Sequence, residues 1–290
     1  MSHRKFKLGM LKPYLWLMPA MIVFGVFTFY PFAQTIYKSL FIVDRIGSIR
    51  EYVGLENYAI ILRDKNFLIA VKNTLLYTLL TVPASKVLGF LLALLANKRR
   101  KISSFYETSF ALPMALASSV VAMIFQLIYV YPLGILKGRL GLDVRWLTDP
   151  KVALLAVGIV QIWLSSGYAF VFMLSAVRSV PSDLIESADI DGAGGFVKMI
   201  RIYLPLTTPT LFYLIVTDLI YGMLAMGLIN IMTGGGPNNS TMTIMLYIYQ
   251  QFARSGNYTT ANAATIITFL MTLVCTLLTF IWEKRGVHYQ

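Results

Sequence analysis

Cysteine and histidine are nearly missing: the one cysteine, Cys275, lies inside an apolar run, and the two histidines, His3 and His288, lie near opposite ends. A disulfide framework or a Cys/His metal site therefore has no material. Charge is scarce as well. Asp, Glu, Lys and Arg make up 13% of the 290 residues, where a soluble domain carries about 25%. No G-x-x-x-x-G-K-[ST] phosphate loop occurs, and Gly192-Ala193-Gly194-Gly195 does not follow a strand, so the chain does not itself bind and hydrolyse ATP by the usual route. No pair of catalytic groups falls at one membrane depth beside a plausible cofactor, which leaves a membrane enzyme without support.

What is present is apolar. Hydrophobic residues reach 57%, mean hydropathy is +0.69, and they come in long uncharged runs rather than stripes. This pattern belongs to a membrane protein and excludes disordered, fibrous and disulfide-rich classes. The net charge of +12 lies between apolar runs instead of on one solvated face, so it reads as membrane topology and not as a nucleic-acid surface.

Crossing about 30 Å of hydrocarbon takes roughly 20 apolar residues. Four uncharged runs supply them: Leu15 to Tyr37, Thr108 to Leu136, Val152 to Val177 and Tyr258 to Trp282. Two more carry one ionisable group each, Asn73 to Asn97 with Lys86 and Thr207 to Met232 with Asp218. The expectation is an all-α polytopic membrane protein with six transmembrane helices, at about 15–37, 73–97, 108–131, 152–177, 207–232 and 258–282. Residues 1–290 form one transmembrane domain, with no domain-sized soluble segment.

An even count puts both termini on one side. Met1 to Pro13, Lys98 to Ser104, Arg178 to Leu206 and Glu283 to Gln290 hold thirteen Lys and Arg, against eleven in the longer opposite loops. Positive charge favours the cytoplasm, so residues 1–13 and the C-terminus are expected inside, with the Lys98-Arg99-Arg100-Lys101 cluster carrying most of the argument and meeting anionic lipid. The first apolar run is long, contains Pro19 and Pro31, and lacks a small-residue cleavage site, which reads as a retained signal anchor. Thr241 to Phe252 is too short to span and reads as a re-entrant or interfacial helix on the outer side.

The longest inner loop, 178–206, reads as helix, turn, helix. Pro181 precedes or opens the first helix, Ser182 or Asp183 caps it, and Asp183 with Glu186 falls at capping-box spacing. Gly192, Gly194 and Gly195 break it. Leu184, Ile185, Ala188 and Ile190 leave an apolar patch on the first helix, which calls for a partner.

Glu186-Ser187-Ala188, then Gly192, nine residues, and Ile202-x-Leu204-Pro205 resemble the EAA loop of ABC-importer permeases, with Ser187 in place of the first alanine. Tyr52-Val53-Gly54-Leu55-Glu56-Asn57-Tyr58, Asn73-Thr74-Leu75 and Met232-Thr233-Gly234-Gly235-Gly236-Pro237 are similar to the sugar-importer branch, and Val287-His288-Tyr289-Gln290 is similar to the ending of glycerol-3-phosphate-type permeases of that branch. The resemblance implies a type I importer architecture with a cytoplasmic coupling helix, in the cytoplasmic (inner) membrane of a bacterium or archaeon. Glu186, Ser187, Ala188, Gly192, Leu204 and Pro205 would couple to a cytoplasmic ATPase dimer, and Glu186 would pair with a basic residue there. The chain itself would bind no cofactor; ATP and Mg would sit on the ATPase. The remaining partners implied are a second homologous permease and an extracytoplasmic solute-binding protein, which would face the Gly234 to Asn239 turn and the Thr241 to Phe252 segment.

Intramembrane charge is expensive, so Asp218 and Lys86 are candidates for a pathway or for pairing with each other. Asp218, Tyr221 and Gly222 share one face of span five, and Ser165 and Tyr168 one face of span four, beside Gln161 and Trp163. Aromatic rings with nearby acceptors suit a sugar, whose C–H faces stack while its hydroxyls hydrogen-bond. The resemblance to maltose-type permeases places solute contacts at Ser165, Tyr168, Asp218, Tyr221, Gly222 and Ala225; only Tyr168 keeps the family's residue type. An unneutralised Asp218 would repel an anion, which puts a sugar or oligosaccharide ahead of glycerol-3-phosphate. A reading of another class, an ion-coupled secondary transporter relaying through Asp218 and Lys86, would need no ATPase.

Overall fold

The structure, a computed structural model, describes residues 12–97 and 103–286. The Lys98 to Lys101 cluster, most of the N-terminal segment and Val287 to Gln290 lie outside the described residues. The elements in chain order are α1 (Lys12–Phe24), α2 (Tyr30–Ser39), β1 (Phe41–Val43), β2 (Ile49–Tyr52), α3 (Glu56–Ile61), α4 (Lys65–Asn97), α5 (Ser103–Ala115), α6 (Ser118–Tyr129), α7 (Ile135–Gly138), α8 (Ala153–Arg178), α9 (Ser182–Ile190), α10 (Gly195–Lys198), α11 (Leu204–Leu206), α12 (Thr208–Met223), α13 (Gly227–Met232), α14 (Ile244–Tyr249) and α15 (Tyr258–Gly286). Wider π-type turns at Gly25–Phe29, Met199–Tyr203 and Gln250–Arg254 join or extend helices.

Four helical rods are long and apolar enough to cross a membrane: Tyr14–Ser39, Lys65–Asn97, Ala153–Arg178 and Tyr258–Glu283. The other two expected spans are broken. α5 and α6 meet at 97°, and the Gly195–Leu206 and Thr208–Met223 segments at 69°, so the count is four to six according to whether each bent pair crosses once. The helix of the second expected span begins at Lys65 rather than at Asn73. Lys65 and Lys72 hide its first two turns from a hydropathy reading.

Each break has a chemical cause. Pro113 sits inside α5, and Ala117, extended at ψ 128°, starts α6 afresh. At the second break Pro209 has no N–H to offer the Pro205 carbonyl, and Thr208 Oγ1 donates to that oxygen instead at 2.7 Å. Thr207 Oγ1 likewise donates to Tyr203 O at 2.8 Å. Such substitutes matter in lipid, where an unpaired carbonyl finds no water.

The chain divides into two compact units. One comprises the chain up to Leu62 with Gln250–Ile267. In it β1 and β2 pair antiparallel, Phe41 opposite Tyr52, with an irregularity after Ile42. The hairpin turn is held by Asp44, which accepts from the N–H groups of Ile46 and Ser48 and from Arg50. Desolvation raises the Asp44 pKa, but those N–H groups and the guanidinium more than offset it, so the carboxyl titrates below its ordinary range. Asn57 Nδ2 clamps the carbonyls of Ser39 and Phe41, and Tyr58 hydrogen-bonds Ser39, which explains the polar residues of the 52–58 motif.

The other unit holds Arg63–Tyr249 and the chain from Thr268 onward. Its core is the α4–α8 seam, where Phe90, Ala93, Ala96, Ala169, Phe170, Met173 and Val177 are buried with Leu214 of α12. Lipid is as apolar as leucine, so close packing of small residues drives helix association here. A Cβ on Gly89 would come within 2.5 Å of Ala169 Cβ and 2.9 Å of Phe170 N. Gly158 and Gly222 are pressed comparably, against Leu80 and Thr78.

Of the two forms expected for the 241–252 segment, re-entrant or interfacial, its burial argues against the interfacial one. Thr241, Met242, Thr243, Ile244, Leu246, Tyr247 and Ile248 are all buried, and α14 packs against α4. Polar threonines supply the reason: Thr241 pairs with Thr233 and the Gly236 carbonyl, and Thr243 with the Ala225 carbonyl. Burial, and then the hydrogen bond it donates to Asp64, push the Tyr247 phenol pKa up.

Candidate functional site

All six residues expected along the pathway, Ser165 and Tyr168 of α8, Asp218, Tyr221 and Gly222 of α12, and Ala225 just beyond it, line one cavity of about 460 Å³. Two helix breaks shape it. Pro113, Met114, Leu116 and Ser118 come from the α5–α6 bend, and Ala225, Met226 and Gly227 from the α12–α13 break. Broken helices are tolerated at membrane depth where backbone lines a cavity. Hydropathy registers neither break, so of the bend residues only Ala225 is expected in the lining, and that through the family resemblance.

Within the cavity Tyr77, Tyr168 and Tyr221 supply rings. Gln161 donates to Ser165 Oγ at 2.8 Å, and its Oε1 accepts from Tyr77 at 3.4 Å. Tyr168 and Tyr213 hydroxyls lie 3.4 Å apart. Trp163 is not a lining residue; its ring lies 5.6 Å from Phe125. Two residues, a little over half a helical turn, separate it from Gln161, which points it toward the opposite face and another neighbour.

Asp218 and Lys86 do pair, across α12 and α4, and the pair sits at the cavity wall. Asp218 lines the cavity with its side chain 13% exposed; Lys86 stands behind it at 2% and is not a lining residue. Thus the argument that an unneutralised Asp218 repels anions does not apply, because the ammonium compensates the carboxylate. The lining residues include no Lys or Arg.

The second set of expected residues lies on the 178–206 loop. α9 carries Glu186, Ser187 and Ala188, with Glu186 exposed and edging a small recess formed with Asn97, Arg178, Ile185 and Tyr203. The expected capping box is absent: Pro181 is the N-cap and no side chain caps α9, because the helix starts at Ser182 and leaves Asp183 inside its first turn. The helix ends as expected at Gly192, φ +74°. Ala193 N bonds Ala188 O and Gly192 N bonds Asp189 O, the pairing of a Schellman turn. Gly194 and Gly195 have no positive φ; they open α10 instead. Lys198 pairs with Asp189, pinning α10 against α9. Leu204 and Pro205 form α11, directly before the bend into α12. Leu184 and Ile190 of α9 and Phe196 of α10 are exposed, the last two by 88% and 73%.

Sequence reasoning noticed the Asn73-Thr74 pair and the Gly234 to Asn239 turn without joining them. Asn73 Nδ2 donates to Asn239 O and Met242 O at 2.8 and 3.0 Å, and Thr74 Oγ1 accepts from Ile244 N at 2.9 Å. Gly234 and Gly235 take positive φ there, as do Asn238 and Asn239. No periodicity links residues so far apart.

Residues 86–285 match the family described as binding-protein-dependent transport system inner membrane component. The chain belongs to that family. It is 31% identical over 281 residues to the sn-glycerol-3-phosphate transport system permease protein of Agrobacterium fabrum, covering 96% of each chain. It is 35% identical over 281 residues to a probable ABC transporter permease protein of Pyrococcus horikoshii, covering 94% of this chain and 95% of the relative. Among solved structures, it superposes with a TM-score of 0.84 and 25% identity, over 98% of each chain, on a chain of the bacterial alginate ABC transporter in complex with alginate pentasaccharide-bound periplasmic protein. The chain is therefore an inner-membrane permease of a binding-protein-dependent transport system, and the secondary-transporter reading falls away. Its function depends on a solute-binding protein outside the chain.

Proposed function

We propose that this permease forms half of the translocation pathway of an ATP-driven importer for a sugar or oligosaccharide, with a second homologous permease as the other half. The observation that carries this reading is the cavity: three tyrosine rings and several hydrogen-bonding groups converge where α8 and α12 meet two helix breaks, with no cationic side chain in the lining. A neutral polyol finds stacking faces and acceptors there. The six-span count follows if each bent pair crosses once, with both termini and α9 cytoplasmic as the positive-charge distribution favours.

Energy comes from a cytoplasmic ATPase dimer, which holds ATP and Mg. In this reading α9 docks into the ATPase through its apolar face and Glu186, and Gly192, Leu204 and Pro205 shape the return into α12. Ser187 exchanges a methyl for a hydroxyl on an exposed surface, a change that docking tolerates. Anionic lipid meets the basic inner segments.

A second reading, import of glycerol-3-phosphate or a related polyol phosphate, is favoured by the relative from Agrobacterium fabrum and by the Lys86 pairing, which removes the repulsion. The complex reconstituted in proteoliposomes with its ATPase and binding protein separates the two. ATP-dependent uptake of a neutral oligosaccharide, with glycerol-3-phosphate left outside, supports the first reading; the reverse supports the second. ATP-independent uptake driven by an ion gradient would sink both.

A further inference from the structure

Lys86 is enclosed at 2% side-chain exposure and bonds one oxygen of Asp218, Oδ2. Asp218 Oδ1 accepts no hydrogen bond from any described residue, while the Asp218 side chain opens onto the cavity. Burying an ammonium is costly unless it is paired, by several kcal/mol in general. A lysine kept there for packing alone would be matched or bettered by an apolar side chain of similar volume.

We propose that Lys86 is a positioning residue that sets solute selectivity: it holds Asp218 by one oxygen, cancels its charge, and presents the other oxygen to a solute hydroxyl. The pair supplies a charge-assisted acceptor without a net field that would sort solutes by sign. Together with the lack of Lys and Arg in the lining, this makes the wall a reader of hydroxyl groups. A phosphate or carboxylate on the solute is neither attracted nor repelled by this half of the pathway. The inference rests on the reading of the cavity as the solute pathway.

The single native cysteine makes a direct test possible. In a C275A chain within the assembled complex, Ala225→Cys places a thiol in the cavity lining, and its rates of reaction with an anionic and a cationic methanethiosulfonate report the local potential. The ratio is read at rest and during ATP turnover. With the pair intact, the anionic-to-cationic ratio should equal that of a free thiol peptide. K86M should lower it on the order of 5-fold, the size of one uncompensated charge in a partly aqueous cavity, and K86M/D218N should restore it. A ratio unmoved by K86M would reduce the pair to packing and overturn the proposal. Should K86M fail to assemble, D218N carries the test in the opposite sense: the uncompensated ammonium should raise the ratio, and an unchanged ratio overturns the proposal. A thiol that reacts with neither reagent in either condition would show that no solvated cavity exists at Ala225, which overturns the pathway reading itself.

Discussion

Gly89 occupies a contact that admits no side chain. Its would-be Cβ meets both a side-chain carbon of Ala169 and the backbone nitrogen of Phe170, and backbone in a packed helix pair cannot swing aside. Gly89→Ala should therefore destabilise the permease by about 2 kcal/mol, read as loss of thermal stability in detergent. Gly192 makes the contrast. Nothing lies near its would-be Cβ, but its φ is +74°, so Gly192→Ala should cost about 1 kcal/mol through backbone strain, and show as reduced coupling of ATPase activity to uptake with little loss of assembled complex. The turn at Gly192 was legible in the sequence because glycine after a short amphipathic helix has few other uses. The role of Gly89 was not, since a glycine in an apolar run looks the same whether it faces lipid or a neighbouring backbone. The Lys86–Asp218 pair was half legible: two isolated charges in apolar spans suggest each other, but only the α4–α12 packing brings them together.

Helices in this protein are informative where they stop. Three of the four uncharged runs and the run that carries Lys86 form continuous rods, whereas the fourth uncharged run, Thr108 to Leu136, bends at α5–α6; that bend and the breaks around α12 escaped a hydropathy reading, because the residues at them are apolar or neutral enough to pass within a run. The α5–α6 bend and the α12–α13 break shape the cavity, so the lining of α8 and α12 could be read from helical spacing and family resemblance, while the lining from the bends, Ala225 apart, could not. Thr208→Val keeps the shape and removes the donor to Pro205 O. It should cost about 1 kcal/mol of stability, the usual size of a part-buried hydrogen bond, measurable by thermal unfolding in detergent. Asn73→Ala removes two bonds that hold the 239–242 backbone to α4. Hydrogen exchange across residues 236–244 should then accelerate about 10-fold or more, two lost bonds at about 1 kcal/mol each; unchanged protection would show that threonine contacts alone hold the segment. On α9, Glu186→Ala should leave assembly intact and lower ATP-driven uptake at least about 10-fold, whereas undiminished uptake would remove α9 from the coupling role.

At the scale of the whole molecule, many large apolar side chains of the described residues are exposed and await other material. The most apolar window of the Tyr14–Ser39 rod buries none of its residues within the chain, and that of Tyr258–Glu283 buries 17%. Lipid accounts for such faces in any membrane helix, but lipid does not cover the exposed Ile190 and Phe196 of a polar loop, and it supplies no energy for uphill transport. Family membership was legible from the Glu186 to Pro205 spacing, a stretch that on the proposed reading meets an outside partner; the solute was not, because on that reading the binding protein and a second permease share in choosing it. The central claim is that this chain is one half of the membrane channel of an ATP-driven importer. Native mass spectrometry of the gently solubilised complex tests it most directly. One copy of this chain with one copy of a second permease and two ATPase copies is the expected result; an active monomer or homodimer without ATPase would contradict it.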